Sequence, residues 1–144
     1  MKAITVRQPW AWAIVHAGKD IENRTQAWSY RGPLAIHAGL ALFEQNNLAS
    51  RTHREMHGSE TRTDIKFGAF IGVADLVDVH VSRRAEDGPC CDSPWAQYAE
   101  GPTKPVVHLV LENARPLARP ISARGQLGLW TPFADTLTRI QEQM

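Results

Sequence analysis

The sequence has 144 residues, 43% of them hydrophobic, with 16 Lys and Arg residues against 15 Asp and Glu residues. A chain of this length buries enough surface to fold as a single domain, residues 1–144, without a disulfide or a structural metal. The net charge of +1 argues against charge-driven binding to duplex DNA, because such binding needs a clear basic excess.

The two cysteines, Cys90 and Cys91, are adjacent. They form neither the spaced set of a secreted disulfide scaffold nor a CxxC zinc or redox pair. The first residues, MKAITVRQPW, lack the apolar stretch of a signal peptide, and no apolar run is long enough to cross a membrane. We therefore expect a cytoplasmic protein that makes no membrane contact.

A strand and a short helix are predicted first. Residues 3–7 alternate apolar and polar side chains and include β-branched ones, as in a half-buried strand. Residues 9–17 are predicted to be helical, because Pro9 suits the first turn of a helix and Gly18 is a common helix terminator.

The chain beyond this helix alternates strands with irregular segments. Residues 20–25 are predicted to be extended, with Glu22 and Arg24 on one face. Further strands are predicted over residues 33–38, 68–82, 106–117 and 127–130. Helices are predicted over residues 40–57 and 134–144, and Pro- and Gly-rich connections over residues 83–105 and 120–133. This order predicts a small α+β barrel of mixed topology flanked by short helices.

Positive charge is concentrated in two segments. Residues 1–43 carry five basic and two acidic residues, and residues 112–131 carry three basic residues and one acidic residue. The same segments contain Trp10, Trp12, Trp28, Tyr30 and Trp130. Basic side chains beside aromatic rings can hold phosphates and stack the bases of a single strand or a nucleotide. The alternative is that the tryptophans are buried in the core and the arginines are solvated.

One short motif lies in the first of these segments. Residues 18–24 read GKDIENR and contain the lysine, glutamate and arginine of the motif GxKxxExR. Lys19 could contact a phosphate or, without its proton, act as a base or nucleophile. Glu22 could hold that lysine or take a proton from water, and Arg24 could pair with Glu22 or bind a phosphate. The alternative is an ion network that only ties the turn to the barrel.

Two more segments complete a family resemblance. They are YRGPLAIHA at residues 30–38 and GQLGLW at residues 125–130. Together with residues 18–24, in this order along the chain, they resemble the ASCH domain, a relative of the PUA RNA-binding fold. The resemblance implies a PUA-like β-barrel of about five to six strands with a cleft for RNA or a nucleotide-like ligand.

The resemblance also implies a hydrolytic alternative, because some members of the family act on RNA or remove acyl groups from N4-acylated cytidine. In the deacylating members a threonine stands three residues after the lysine, where this chain has Glu22. Asp75 or Asp78, on the strand predicted over residues 68–82, could supply the more distant acid of those enzymes. A carboxylate that merely meets a nearby arginine is the alternative for either residue.

Histidines and cysteines elsewhere do not predict a metal site or a cofactor. His53 and His57 have the i, i+4 spacing of zinc ligands, but no third ligand is evident. A nucleophilic role for Cys90 or Cys91 would need an ordered base nearby. His37, at the end of a predicted strand, is expected to be a hydrogen-bonded residue of the barrel.

The leading hypothesis is a cleft that binds single-stranded RNA, a nucleoside or a nucleotide. Its ligand-binding residues are Gln8, Trp10, Arg24, Arg31, Ser122 and Arg124, placed around Lys19 and Glu22. The second hypothesis is hydrolysis of N4-acylated cytidine or of RNA phosphodiester bonds, with Lys19 and Glu22 as the catalytic acid–base pair. The third is a protein-interaction module that uses residues 44–66 and the segment around Trp95 and Tyr98.

Overall fold

The computed structural model describes residues 1–42, 65–99 and 105–144. Within these ranges the strands are β1 (Lys2–Gln8), β2 (Ile21–Arg24), β3 (Gly32–Leu42), β4 (Ala69–Val81), β5 (Val107–Ser122) and β6 (Leu129–Trp130). The helices are α1 (Trp10–His16), one 3-10 turn (Ala85–Asp87) and α2 (Ala134–Gln141). None of these helices is both long and apolar enough to cross a membrane.

The six strands form one mixed sheet that curves into a half-barrel. Their order is β2-β5-β4-β3-β1-β6. Strands β1 and β3 run parallel, and the other described neighbours run antiparallel. The chain returns from β1 to β3 through α1 and β2, which gives the long crossover that a parallel pair requires. This sheet and its two short helices confirm the α+β barrel predicted from the sequence.

The sheet is covered on both faces. On one face, Ile4 and Ile36 lie in the same apolar cluster as Ile14 of α1. On the other face, Phe70 lies in the same cluster as Ile140 of α2. Because successive strand residues point to opposite faces, strands buried on both sides read as nearly continuous apolar runs. This explains the strong apolar signal of residues 68–82.

Gly72 allows α1 and β5 to approach the middle of β4. A Cβ at this position would lie 2.6 Å from Cγ2 of Val15 and 2.8 Å from the carbonyl oxygen of Arg115. The register between β4 and β5 also shifts between Phe70 and Gly72. A glycine inside a strand often marks such a bulge or close backbone approach.

The helix predicted from Leu40 is wrong at its start. Residues 40–42 continue β3, and the rest of the predicted helix lies outside the described residues. Leu42 pairs with Gln8 of β1. Pairing with a neighbouring strand therefore overrides the helical composition of this segment.

Strand β5 also extends further than predicted. It continues to Ser122, past Pro116 and Pro120, instead of ending at residue 117. A strand tolerates proline where the ladder does not need its N–H group. Pro116 lies opposite Gly72, next to a register shift, which is such a position.

The remaining boundaries differ by a few residues. Strand β6 begins at Leu129 rather than at residue 127, and α2 ends at Gln141 rather than at residue 144. Element ends are the least sharply specified part of a sequence pattern. The single domain over residues 1–144 stays a prediction.

We expect Leu109→Ala to lower the free energy of unfolding by about 2–5 kcal/mol, because this side chain is fully buried. Leu127→Ala is the matched control, since Leu127 is 98% exposed. It should change the free energy of unfolding by no more than about 0.5 kcal/mol. Urea unfolding followed by circular dichroism measures both values. Equal losses in the two variants would contradict the assigned core.

Candidate functional site

The turn between α1 and β2 delivers Lys19 to the sheet. Gly18 has a φ of +65°, in the left-handed region that favours glycine. The N–H groups of Ala17 and Lys19 both donate to the carbonyl oxygen of Ala13, at 2.9 and 3.1 Å. The helix ends at these bonds, and β2 begins at Ile21.

Lys19, Glu22 and Arg24 form a chain of ion pairs. Nζ of Lys19 lies 3.1 Å from Oε2 of Glu22, and Oε1 of Glu22 lies 3.0 Å from Nε of Arg24. Nζ of Lys19 also donates to the carbonyl oxygen of Ile21. Nη2 of Arg24 donates to the carbonyl oxygen of Thr5 at 2.8 Å. Lys19 is 4% exposed and Glu22 is 8% exposed, so this pair is buried, and the contact between Glu22 and Arg24 agrees with their predicted shared face.

Strand β2 also holds the connection that follows β4. Nδ2 of Asn23 donates to the carbonyl oxygen of Trp95 at 2.9 Å. The N–H group of Gln97 donates to Oδ1 of Asn23 at 3.0 Å. The hydroxyl of Ser93 donates to the carboxylate of Asp20. These bonds fix residues 93–97 beside the ion pairs.

Trp95 forms an aromatic wall with Trp10. Their ring centroids are 6.2 Å apart, and the rings meet edge to face at 78°. Nζ of Lys19 lies 6.0 Å from the centroid of the Trp95 ring, at the outer limit of a cation–π contact. The buried lysine therefore joins the ion pairs to the aromatic wall.

The ion pairs and the aromatic wall line one cleft of about 1280 Å³. This volume exceeds the range of about 300–1,000 Å³ that is usual for small-molecule sites. The charged side chains that line it, within the described part of the chain, are Arg7, Lys19, Arg24 and Arg124 against Glu22. The cleft is therefore basic.

Three cleft-lining residues have a buried polar atom with no hydrogen-bond partner among the described residues: Oγ1 of Thr5, Nδ1 of His37 and Nε of Arg24. Nε of Arg24 makes the ion pair with Glu22 instead. Nε2 of His37 donates to the carbonyl oxygen of Ala123 at 2.9 Å, so Nδ1 is left as an acceptor when the ring is neutral. A Cβ on Gly125 would lie 2.7 Å from Oγ1 of Thr5 and 2.8 Å from Nδ1 of His37. Only glycine fits beside these two atoms without a shift.

Part of the predicted ligand-binding set lies in this cleft. Trp10, Arg24 and Arg124 line it, together with the predicted acid–base pair of Lys19 and Glu22. The structure thus brings Arg124, from the loop before β6, into the same cleft as the motif. The ligand-binding and catalytic roles of all five residues stay predictions.

Gln8, Arg31 and Ser122 do not line the cleft that the described residues form. Gln8 is buried, and both ends of its amide bond to backbone groups. Arg31 is exposed and donates to two carbonyl oxygens of its own turn. Ser122 is exposed at the end of β5. Their ligand-binding roles stay predictions.

Asp75 and Asp78 each meet a basic side chain. Oδ2 of Asp75 lies 3.8 Å from Nη1 of Arg115. Oδ1 of Asp78 lies 3.7 Å from Nη2 of Arg31, and its Oδ2 accepts from Nδ1 of His80 at 2.8 Å. Neither aspartate is among the described residues that line the cleft. Both therefore fit the alternative interpretation of a carboxylate beside a cation.

Sequence reasoning missed Trp95, Asn23 and Thr5 as cleft residues. It assigned Trp95 to a protein-interaction surface, because nothing in the Pro- and Gly-rich connection shows that it folds against β2. The signal that was available is a tryptophan in an otherwise polar connection, since such a large ring usually finds a partner. His53 and His57, the histidine pair considered for zinc, lie outside the described residues.

The fold is similar to crystal structures of an ASCH protein from Zymomonas mobilis. One such structure shares 16% sequence identity at a TM-score of 0.58, and the match covers 98% of this chain and 93% of that chain. A serine-to-alanine mutant of that protein gives 17% identity and a TM-score of 0.59, covering 99% and 96% of the two chains. No family model and no curated protein matches the sequence.

The mixed half-barrel and its basic, tryptophan-walled cleft define a small α+β barrel protein. More particularly, the chain has the fold of the ASCH proteins, because the match extends over nearly the whole length of both chains. This confirms the fold that the three sequence segments implied. An identity of 16–17% does not by itself carry a function.

Acidification is expected to remove the stabilisation that the neutral ring of His37 provides. Burial lowers the pKa of His37 below its ordinary value of 6.5, against the raising effect of the hydrogen bond to Ala123. The unfolded chain therefore takes up a proton at higher pH than the folded protein does. The stabilisation is complete above about pH 6.5 and is lost as the pH falls towards the folded pKa.

Urea unfolding of the wild type and of His37→Gln measures this effect. The difference in unfolding free energy should shrink between about pH 7 and pH 5, and should stay constant between about pH 7 and pH 8. A difference that grows on acidification would show that the folded ring prefers the charged form.

Proposed function

We propose that the cleft binds single-stranded RNA or a single nucleoside or nucleotide. The observation that carries this proposal is that four basic side chains and two tryptophans line one cleft. Basic side chains pair with phosphates, and bases stack on aromatic rings, so this combination suits a single strand. The net charge of +1 also fits a local site better than an extended duplex-binding surface.

Arg7 and Arg124 are the proposed phosphate contacts. Both are exposed side chains that line the cleft. No acidic residue in the described ranges forms an ion pair with either guanidinium. Arg24, in contrast, is held by Glu22 and by the carbonyl oxygen of Thr5. We therefore propose that Arg24 holds the residues of the cleft in position and that Arg7 and Arg124 contact the phosphates of the ligand.

Trp95 is the proposed contact of the base. The Trp95 ring supplies a stacking surface, and stacking is tolerant of base identity. Oγ1 of Thr5 and Nδ1 of His37 are buried behind Gly125, so they are not assigned to the ligand.

The ion pairs favour binding over hydrolysis. Both carboxylate oxygens of Glu22 contact cations, so accepting a proton would break an ion pair. Nζ of Lys19 donates to Glu22 and to the carbonyl oxygen of Ile21, so a nucleophilic lysine would lose both contacts.

The cysteines are free thiols, and we propose that the protein works in a reducing compartment such as the cytoplasm.

Arg124→Ala is expected to weaken binding of a labelled single-stranded RNA of about eight nucleotides by about tenfold. The physical reason is the loss of one charge-assisted phosphate contact, so the slope of log K against log salt should also fall by about 0.7. Fluorescence anisotropy at several salt concentrations measures both quantities. Arg119→Ala is the matched control, because Arg119 is exposed on β5 but does not line the cleft. Equal weakening in both variants, or none in Arg124→Ala, would contradict the proposal.

Neither N4-acetylcytidine nor single-stranded RNA is expected to be hydrolysed by the protein, because Glu22 and Lys19 are held in ion pairs. Chromatography of both compounds after incubation with the protein tests this expectation. Glu22→Gln is the control for any product that forms. Turnover in the wild type that a folded Glu22→Gln variant lacks would instead support the hydrolytic hypothesis.

A further inference from the structure

Four metal-ligand side chains converge at one end of the β4–β5 strand pair, outside the described residues that line the cleft. His80 comes from the end of β4 and His108 from the start of β5, while Cys90 and Cys91 come from the connection between these strands. The four ligand atoms all lie within 4.8 Å of one another. His108 is buried, and the other three are half-buried. No motif in the sequence reveals this group, because its members come from three separate segments.

The four distances to Nδ1 of His108 and between the two sulfur atoms are close to those of a tetrahedral zinc site. Bonds of about 2.3 Å to sulfur and about 2.0 Å to nitrogen would place two nitrogens about 3.3 Å apart, nitrogen and sulfur about 3.6 Å apart, and two sulfurs about 3.8 Å apart. Nε2 of His80 lies 3.3 Å from Nδ1 of His108. The sulfur atoms of Cys90 and Cys91 lie 3.3 and 3.6 Å from Nδ1 of His108, and 4.0 Å from each other.

Each histidine is held by its other ring nitrogen. Nδ1 of His80 bonds to Oδ2 of Asp78 at 2.8 Å. Nε2 of His108 bonds to the carbonyl oxygen of Gln97 at 2.8 Å. Metal-binding histidines almost always make such a bond to a carboxylate or carbonyl, because it fixes the tautomer and points the unprotonated nitrogen at the metal.

The two nitrogens that face each other need something between them. Since Nδ1 of His80 and Nε2 of His108 donate outwards, the neutral rings would direct two lone pairs at each other across 3.3 Å. The sulfur atoms of Cys90 and Cys91 also lie within hydrogen-bond reach of Nδ1 of His108, so a thiol or a proton on His80 can satisfy this nitrogen but not all four ligand atoms. A cation at the centre of the group contacts all four ligand atoms at once.

We propose that His80, Cys90, Cys91 and His108 bind one Zn²⁺ ion in a tetrahedral Cys2His2 site. Binding releases the two thiol protons to solvent, and no electron is transferred. Four protein ligands fill the zinc coordination shell, so the role is structural rather than catalytic. The sequence predicts no metal site here, because adjacent cysteines lack the CxxC spacing that usually signals one.

The zinc ion would hold in place the segment of the connection that lines the cleft at Gln97. Gln97 lines the cleft, and its carbonyl oxygen accepts from the hydroxyl of Ser82 and from His108, both at 2.8 Å. The connection that carries Trp95 is thus tied to β2 by Asn23 and to the zinc site by His108. Zinc would hold this connection against the sheet. The connection would then have less conformational freedom to lose when the protein folds.

Cobalt titration of the reduced, metal-free full-length protein tests the site. We expect one equivalent of Co²⁺ to bind, with the visible d–d bands of a tetrahedral complex and near-ultraviolet thiolate-to-cobalt charge-transfer bands. Zn²⁺ should displace the cobalt and raise the Tm by at least about 5 °C. Octahedral Co²⁺ bands without thiolate charge transfer, or no binding at one equivalent, would overturn the proposal.

Variants then assign the ligands. Cys90→Ser and Cys91→Ser should each reduce the charge-transfer intensity and weaken zinc binding by at least about a hundredfold, and His80→Gln should weaken it similarly. Asp78→Asn, which replaces the carboxylate partner of His80 and also removes the exposed ion pair with Arg31, should weaken it by about 10–100-fold. His16→Gln is the matched histidine control and should have no effect, because His16 lies on α1 outside the cluster. Unchanged zinc affinity in both cysteine variants would contradict the site even if His80→Gln fails to fold.

Discussion

The buried ion pairs of Lys19, Glu22 and Arg24 are the interaction on which the rest of the site depends. Charges that are taken out of water must be paired within the protein, and losing one partner of such a pair costs about 3–5 kcal/mol. The carbonyl oxygens of Ile21 and Thr5 complete the pairing. Because Thr5 belongs to β1, the network joins the turn after α1 and strand β2 to the far side of the half-barrel.

The short strand β2 connects this network to the opposite wall of the cleft. Asn23, between the two charged residues of the motif, bonds to Trp95 and Gln97. Its partner across the ladder is His108 of β5, which also bonds to Gln97. The paired residues Asn23 and His108 therefore both bond to the connection that follows β4. The proposed zinc site and the proposed nucleic-acid cleft share this connection, so zinc binding would hold the segment that lines the cleft.

Periodicity and turn residues predicted most elements of the fold. β1, α1, β2 and β4 agree with the sequence because Pro9, Gly18 and alternating apolar residues act locally. The errors at residues 40–42 and beyond residue 117 arose where pairing with a neighbouring strand outweighed local preference. Lys19, Glu22 and Arg24 were predictable as a group for the same reason, since they lie within six residues of one another and on one strand and its preceding turn.

The sequence by itself determined the local features of this protein: the strand and helix periods, the glycine turn, the charges of the motif and the basic character of its two segments. Only the tertiary structure decided which distant side chains meet. Asn23 and Trp95 are 72 positions apart, and His80 and His108 are 28 apart. Contacts over such separations depend on strand order and register, and these leave no periodic trace in the residues between them. The aromatic wall, the unpaired atoms of the cleft and the Cys2His2 cluster therefore became visible only in the folded chain.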